Sequence, residues 1–338
     1  MNNPSSFVAP LNDLAVIEVS GADAASFLHS QLTHDISGLS PDHARLAGYC
    51  TAKGRLLASM VLWRGHEGDI PSFYAIVKAD LALALIKRLS MFVLRAKAKL
   101  QLTDWKVSGV AVNNFTLDAH TADPNPLQDS TLIKEAQILS GEPQVWDVAR
   151  TSSGSWICAP STDPAIVRWW FIAKQPHGAA STLSVDTSVA SSKAERWQAA
   201  DIAAGLPWVV AATQDVFIPQ TLNLDLIDGV SFTKGCYPGQ EVVARSHYRG
   251  TVKRRMAYGI AETGSDVHTE SLTGSDIYNT HNPATPCGRI INAARSGGLH
   301  VLMEVQLSDL DTAEFRLGQP DGPIINLAPM PYKIRAED

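Results

Sequence analysis

Within eight residues, Lys234-Gly235-Cys236-Tyr237-Pro238-Gly239-Gln240-Glu241 brings together a thiol, an ammonium, a carboxylate and two glycines. Tyr237-Pro238-Gly239 reads as a tight turn. Proline presets the negative φ of the first central position, and glycine accepts positive φ at the next. Such a turn would hold Cys236 at a fixed angle, and Lys234 would favour its thiolate. An ordinary thiol titrates near pH 8.5 and is only a few per cent ionised at pH 7. The other reading of Cys236 is a small buried apolar residue, the usual fate of a lone cysteine.

A second feature follows directly. Arg245, His247, Arg249, Lys253, Arg254 and Arg255 fall within eleven residues. This density of positive charge suits an anionic partner: a carboxylate tail, a phosphate or an RNA backbone. A solvated strand start paired with local acids would look the same. A Cys236–His247 catalytic pair is a further reading, resting on one histidine among ten. There is no G-x-G-x-x-G, no G-x-x-x-x-G-K-[ST] and no G-x-S-x-G, so neither a dinucleotide fold, a P-loop nor a hydrolase serine is suggested.

The elements that position these residues can be read from periodicity. Residues 14–19 read as a strand, and Gly21-Ala22-Asp23 turns into a helix bearing Phe27, Leu28 and Leu32. Residues 72–78 read as a strand and 79–92 as a helix with Leu81, Leu85, Ile86 and Leu89 on one side. Residues 94–102 alternate strictly, which predicts a strand with one buried and one solvated face. Residues 116–145 are polar and turn-rich, and 176–192 resemble a loop. Ser192-Lys193-Ala194-Glu195 fits a capping box opening a helix that carries Trp197, Ala200 and Ala204 and ends at Gly205. From Val252 onward, short alternating strands predict a small β-barrel or jelly roll.

The bulk numbers bound the class. At 338 residues, two or three domains are expected. Hydrophobic content of 45% with 18% charge is that of a soluble globular protein. A net charge of −6 argues against general coating of nucleic acid or membrane. No apolar run approaches the roughly 20 residues that span a bilayer, and the first residues lack the features of a secretory signal. Cys50, Cys158, Cys236 and Cys287 are widely spaced with no C-x-x-C, so no metal site and a reducing cytoplasm are expected.

Several stretches together resemble the YgfZ family, folate-binding proteins related to the T-protein of the glycine cleavage system. They are Phe217-Ile218-Pro219-Gln220, Asn223-Leu224, and Val230-Ser231-Phe232-Thr233 leading into the Lys234–Glu241 element and Val242-Val243-Ala244-Arg245. The likeness continues in Tyr248-Arg249-Gly250 and Lys253-Arg254. Upstream, Gly21-Ala22-Asp23, Phe27-Leu28, Gln31-Leu32-Thr33-His34-Asp35 and Ala52-Lys53-Gly54-Arg55 match the family's N-terminal pattern. The K-G-C-Y-x-G-Q-E element is the specific part.

The resemblance implies an α+β fold: a T-protein-like ring of three domains with ferredoxin-like α/β parts and a C-terminal β-barrel. The domains would be 1–115, 116–250 carrying the cysteine element, and 251–338. It implies a monomeric protein that binds tetrahydrofolate or another reduced folate. It would act in iron–sulfur cluster assembly or repair and thereby in tRNA methylthiolation. Its partners would be iron–sulfur proteins such as radical tRNA-modifying enzymes, with direct tRNA contact an open alternative.

Under this resemblance Cys236 is the functional thiol, tuned by Lys234, with Tyr237 and Glu241 shaping its turn. Trp197, Gln220, Asn223, Gly239 and Gln240 would belong to the folate site. Arg245, Arg249, Lys253 and Arg254 would hold glutamyl carboxylates or RNA phosphate. Two departures from the T-protein pattern stand out. A family tryptophan falls here on Leu14. The strand that carries the T-protein's catalytic aspartate reads Gly54-Arg55-Leu56-Leu57-Ala58-Ser59-Met60-Val61, with no carboxylate between Asp42 and Glu67. A T-G-E-type segment is replaced by Arg150-Thr151-Ser152-Ser153-Gly154-Ser155-Trp156. The sequence therefore predicts no glycine-cleavage turnover. A folate-dependent aminomethyl or one-carbon transferase is the alternative function.

Overall fold

A computed structural model describes residues 6–66, 70–113, 126–173, 187–248, 252–264 and 268–334. In chain order it begins β1 (Phe7–Pro10), β2 (Leu14–Ser20), α1 (Ala24–Gln31), β3 (Arg45–Cys50), β4 (Leu56–Arg64), β5 (Ser72–Lys78), α2 (Ala79–Ser90), β6 (Lys99–Leu102) and β7 (Lys106–Asn113). It continues α3 (Pro126–Leu139), β8 (Val148–Arg150), β9 (Gly154–Ala159), β10 (Ile166–Ala173), α4 (Thr187–Ala203) and α5 (Gln240–Tyr248). The last part holds β11 (Arg254–Ala261), α6 (Thr269–Leu272), β12 (Asp276–Asn279), β13 (Gly288–Arg295), β14 (Leu299–Gln306), β15 (Phe315–Leu317) and β16 (Ile324–Ala328).

These elements form an α+β architecture of two sheets and a barrel. One sheet has the order β3-β4-β5-β2-β6 and the other β1-β7-β10-β9-β8; the barrel closes as β11-β14-β13-β12-β15-β16. The second sheet draws β1 and β7 from before residue 115, so it cuts across the boundary expected there. One core joins both sheets, α4 and one side of the barrel through residues such as Trp63, Trp170, Trp197, Met256 and Leu302. The barrel has its own interior of Ile277, Val301, Met303 and Phe315. Closure removes the open edges that a sheet of short strands would leave.

The expected strand at 14–19, helix at 79–92 and barrel all formed. Three expectations need correction. Only 99–102 of the alternating 94–102 run is strand. The chain leaves α2 through successive turns, and Leu94 sits at φ 45 with its side chain in solvent. The strand lies at the sheet edge, so its apolar face is only half covered.

Inside the polar stretch 116–145, residues 126–139 form α3, with Ile133 and Ala136 buried against the sheet. A narrow apolar stripe sufficed where composition suggested turns. The loop expected at 176–192 lies outside the described residues up to 186. From Thr187 the chain is already helical, so the Ser192–Glu195 pattern sits inside α4 rather than at its start.

The far end of α4 behaves as expected. Gly205 takes φ 66, its N–H donates to Ile202 O, and the Leu206 N–H donates to Asp201 O. This is a Schellman ending, which needs a residue free of Cβ strain at the left-handed position. No described helix is long and apolar enough to cross a membrane.

Candidate functional site

The cysteine element forms the expected turn. The Gln240 N–H donates to Tyr237 O at 3.2 Å, Pro238 and Gly239 are the central pair, and Gly239 has φ 83. Positive φ at the second central position is the type II signature. Gly239 is needed twice over: a Cβ there would lie 2.4 Å from Thr51 O and 2.6 Å from Gly54 Cα. The turn is thus seated on the Thr51–Gly54 turn that leads into β4. Tyr237 is buried beneath it, and burial pushes its phenol up. Cys236 stays exposed, while α5 starts at Gln240 with Glu241 in its first turn.

Lys234 also has a second set of partners, on α1. Its Nζ donates to the carbonyls of His29 and, at 2.7 Å, Leu32, and lies 4.8 Å from the centroid of the Tyr237 ring. It therefore caps the C-terminal end of α1, where carbonyls lack helical partners. Burial lowers its ammonium to about 8, against the opposing pull of Asp35 and Cys236. Beside it, His29 Nδ1 lies 2.8 Å from Asp35 Oδ1. Burial pushes the Asp35 carboxyl up, but the Gly38 N–H and His29 outweigh it, leaving it below its usual range. Sequence reading missed His29. Its place six residues before Asp35 was the available signal.

The remaining nominated residues separate into buried fasteners and exposed charges. Gln220 is fully buried and its Nε2 donates to Val243 O at 2.7 Å, tying α5 down. Asn223, at φ 57, donates to Met256 O at 2.8 Å and so clasps β11. Arg245 is exposed and pairs with Glu241 one turn away on α5. Lys253 is exposed. Arg254 donates to Cys287 O at 2.7 Å and lies 3.5 Å from Glu304. Arg249 lies outside the described residues.

The basic cluster is not one face. Arg255 turns inward to a two-pronged pair with Asp225, at 2.5 and 3.0 Å. His247 stacks on Phe232 with centroids 3.7 Å apart. The chain passes from helix α5 into strand β11 within this stretch, which points successive cations in different directions.

Trp197 is 1% exposed. The Arg168 guanidinium lies 4.0 Å from its ring centroid, and a Cβ on Gly109 would press on the ring at 2.3 Å. Its Nε1 has no hydrogen-bond partner among the described residues. The next residue of α4, Gln198, instead lines a cleft of about 780 Å³.

That cleft lies among α4, the start of α2, the 206–212 segment and the barrel. Its walls include Asp13, Lys78, Asp80, Glu195, Gln198, Asp201, Ile202, Leu206, Trp208, Val210, Glu270 and Asn292. None of the site residues nominated from sequence is among them. Lys78 Nζ bonds Asp13 Oδ2 at 2.5 Å, and Gln198 donates to the same oxygen at 3.0 Å. Asp201, buried, takes Arg168 at 2.5 Å and Trp208 Nε1 at 3.1 Å.

The 206–212 segment is held from both sides. Trp208 exchanges two backbone bonds of 2.8 Å with the Asn292 side chain on β13. Ser59 of β4 accepts the Val209 N–H at 3.0 Å. The Ala211 N–H donates to Asp80 at 2.8 Å. A pocket of this size with apolar walls and a few fixed polar groups suits a small organic ligand.

The other three thiols are quiet. Burial pushes Cys50 and Cys158 up to about 12 and Cys287 up to about 11. Among the described residues no group of three or more His, Cys, Asp or Glu could hold a metal ion.

No family model matches the chain. A protein of Haemophilus influenzae, described as uncharacterized, is 28% identical over 343 residues, covering 98% of this chain and 99% of its own. A crystal structure of glycine cleavage system aminomethyltransferase T from Bartonella henselae superposes with a TM-score of 0.64 at 14% identity. The match covers 96% of this chain and 85% of that one. With its two sheets and six-stranded C-terminal barrel, this chain has a fold like that of the aminomethyltransferase T-protein.

Proposed function

We propose that the protein binds a reduced folate in the cleft and acts as an accessory factor in iron–sulfur cluster assembly or repair, and so in tRNA methylthiolation. The observation that carries this is the single exposed cysteine on a rigid turn of a T-protein-like fold that also holds a ligand-sized cleft. The cleft walls fit such a ligand. Trp208, Ile202 and Val210 line the wall against which its rings would lie. Glu195, with no partner among the described residues, would accept the donor edge of a pterin. Lys78, oriented by Asp13, offers one cation.

The walls carry Asp13, Asp80, Glu195, Asp201 and Glu270 against Lys78, so the anionic glutamyl tail would leave toward solvent. When bound, a reduced folate supplies nitrogen atoms that carry one-carbon units. Cys236 would handle sulfur or redox chemistry with iron–sulfur proteins as its partners. In a strain lacking its own copy, the wild-type chain should restore tRNA methylthiolation and Cys236→Ser should not. Full restoration by Cys236→Ser would contradict this reading.

One observation favours the transferase alternative. The carboxylate missing from β4 has counterparts in the cleft from other elements, namely Asp13 and Asp80. A group able to take a proton from a substrate amine is therefore at hand. Turnover of an aminomethyl donor with tetrahydrofolate would establish that alternative.

A further inference from the structure

The segment joining α2 to β6 presents exposed apolar side chains in a stretch of chain whose charged residues are all cations. Met91, Phe92 and Leu94 are exposed, Leu94 at 88% and Met91 at 62%. Large apolar side chains grouped in solvent mark contact surfaces. Leu94 is also held at φ 45, in the left-handed region that a branched side chain disfavours. Backbone strain of this kind gathers at sites of contact.

Lys87, Arg88, Arg95, Lys97 and Lys99, all exposed, flank these residues along the chain, and from residue 81 to 103 there is no acid. None of the five forms an ion pair among the described residues. This is a local reversal of sign in a chain of net charge −6.

Next along the chain, β6 is the outer strand of its sheet. It pairs with β2 on one side and with no described strand on the other. An open edge offers a row of amides to any extended chain, and lysines on it repel strands that cannot answer their charge. The same lysines select a strand that can.

We propose that this face docks an acidic, partly apolar segment of a partner protein, which extends the sheet at β6 while its carboxylates meet the flanking cations. An RNA backbone would answer the cations but gain nothing from Met91 and Leu94. An anionic bilayer would answer both but leave the row of edge amides unmatched. A polypeptide answers all three. The contact is small, so a transient association in the micromolar range is expected.

The test uses the full chain and neither folate nor the thiol, so its outcome is independent of the proposed function. A short dye-labelled peptide alternating glutamate with valine is titrated with the protein by fluorescence anisotropy, beside its lysine-for-glutamate counterpart. The glutamate peptide should bind at least about tenfold more tightly, and more weakly as salt is raised. It should also slow amide exchange across Lys99–Leu102.

The double variant Lys97→Glu, Lys99→Glu should lose about tenfold in affinity with an unaltered circular dichroism spectrum. Leu94→Ser, at an exposed position, should weaken binding independently. Equal affinity for the two peptides, no binding at millimolar peptide, or unaltered affinity in both variants would overturn the proposal. So would retention on phosphatidylglycerol vesicles or on poly(U) with no binding of the glutamate peptide.

Discussion

The backbone of Gly239 rests directly on that of Gly54. A Cβ on Gly239 would stand 2.6 Å from Gly54 Cα, and one on Gly54 would stand 2.9 Å from Val242 Cβ. Both glycines have positive φ. Two turns far apart in sequence are thereby locked face to face, and the angle of Cys236 is set by the pair rather than by its own turn alone.

Gly239→Ala meets both the strained φ and the close backbone. It should lower the unfolding free energy by about 2 kcal/mol or more. Urea denaturation followed by circular dichroism checks this. An unchanged midpoint would mean that the turns do not bear on one another.

The four thiols should separate cleanly on alkylation. At pH 8 a thiol titrating near 12 is thiolate in about one molecule in ten thousand, and one near 11 in about one in a thousand. Iodoacetamide in the native state should therefore label Cys236 well before Cys50, Cys158 and Cys287, as read by peptide mass spectrometry. Comparable labelling of Cys50 would contradict its burial.

Lys234 gives a pH signature. Its ammonium titrates near 8 in the fold against 10.5 in the unfolded chain. The unfolded state holds the extra proton between these values, so stability from this group rises with pH across that window and its cost is complete below it. Wild type should gain on Lys234→Met in unfolding free energy from pH 8 to 10.5. A difference independent of pH would contradict the burial of this charge.

Arg255 and Asp225 form a buried two-pronged pair that fixes the 217–229 segment to the barrel. Asp225→Ala leaves the guanidinium buried without its partner and should lower stability by about 3–5 kcal/mol. Thermal unfolding of the variant checks this. A loss below about 1 kcal/mol would show that water replaces the carboxylate.

Local pattern revealed the elements but not their neighbours. The strand at 14–20, the helix after Lys78, the Gly205 ending and the type II turn follow from periodicity and turn chemistry within a few residues. The cleft does not. Asp13 and Lys78 meet because Leu14 of β2 pairs with Lys78 of β5, a register that no local pattern states. Trp208 reaches the cleft because Asn292, far along the chain, clasps its backbone. Nor does spacing tell where the closely spaced cations point: Arg245 lies on a helix, Arg254 and Arg255 on a strand, and Arg255 is drawn inward by Asp225.

The central claim is that a reduced folate occupies the cleft beside Trp208. A crystal structure with tetrahydrofolate tests it most directly, supported by a loss of about tenfold or more in calorimetric affinity for Trp208→Ala. The account predicts ligand density against Trp208, with the pterin edge at Glu195 and the glutamyl tail toward solvent. Density at the Cys236 turn or against Trp197 instead, or an empty cleft at saturating tetrahydrofolate, would contradict it.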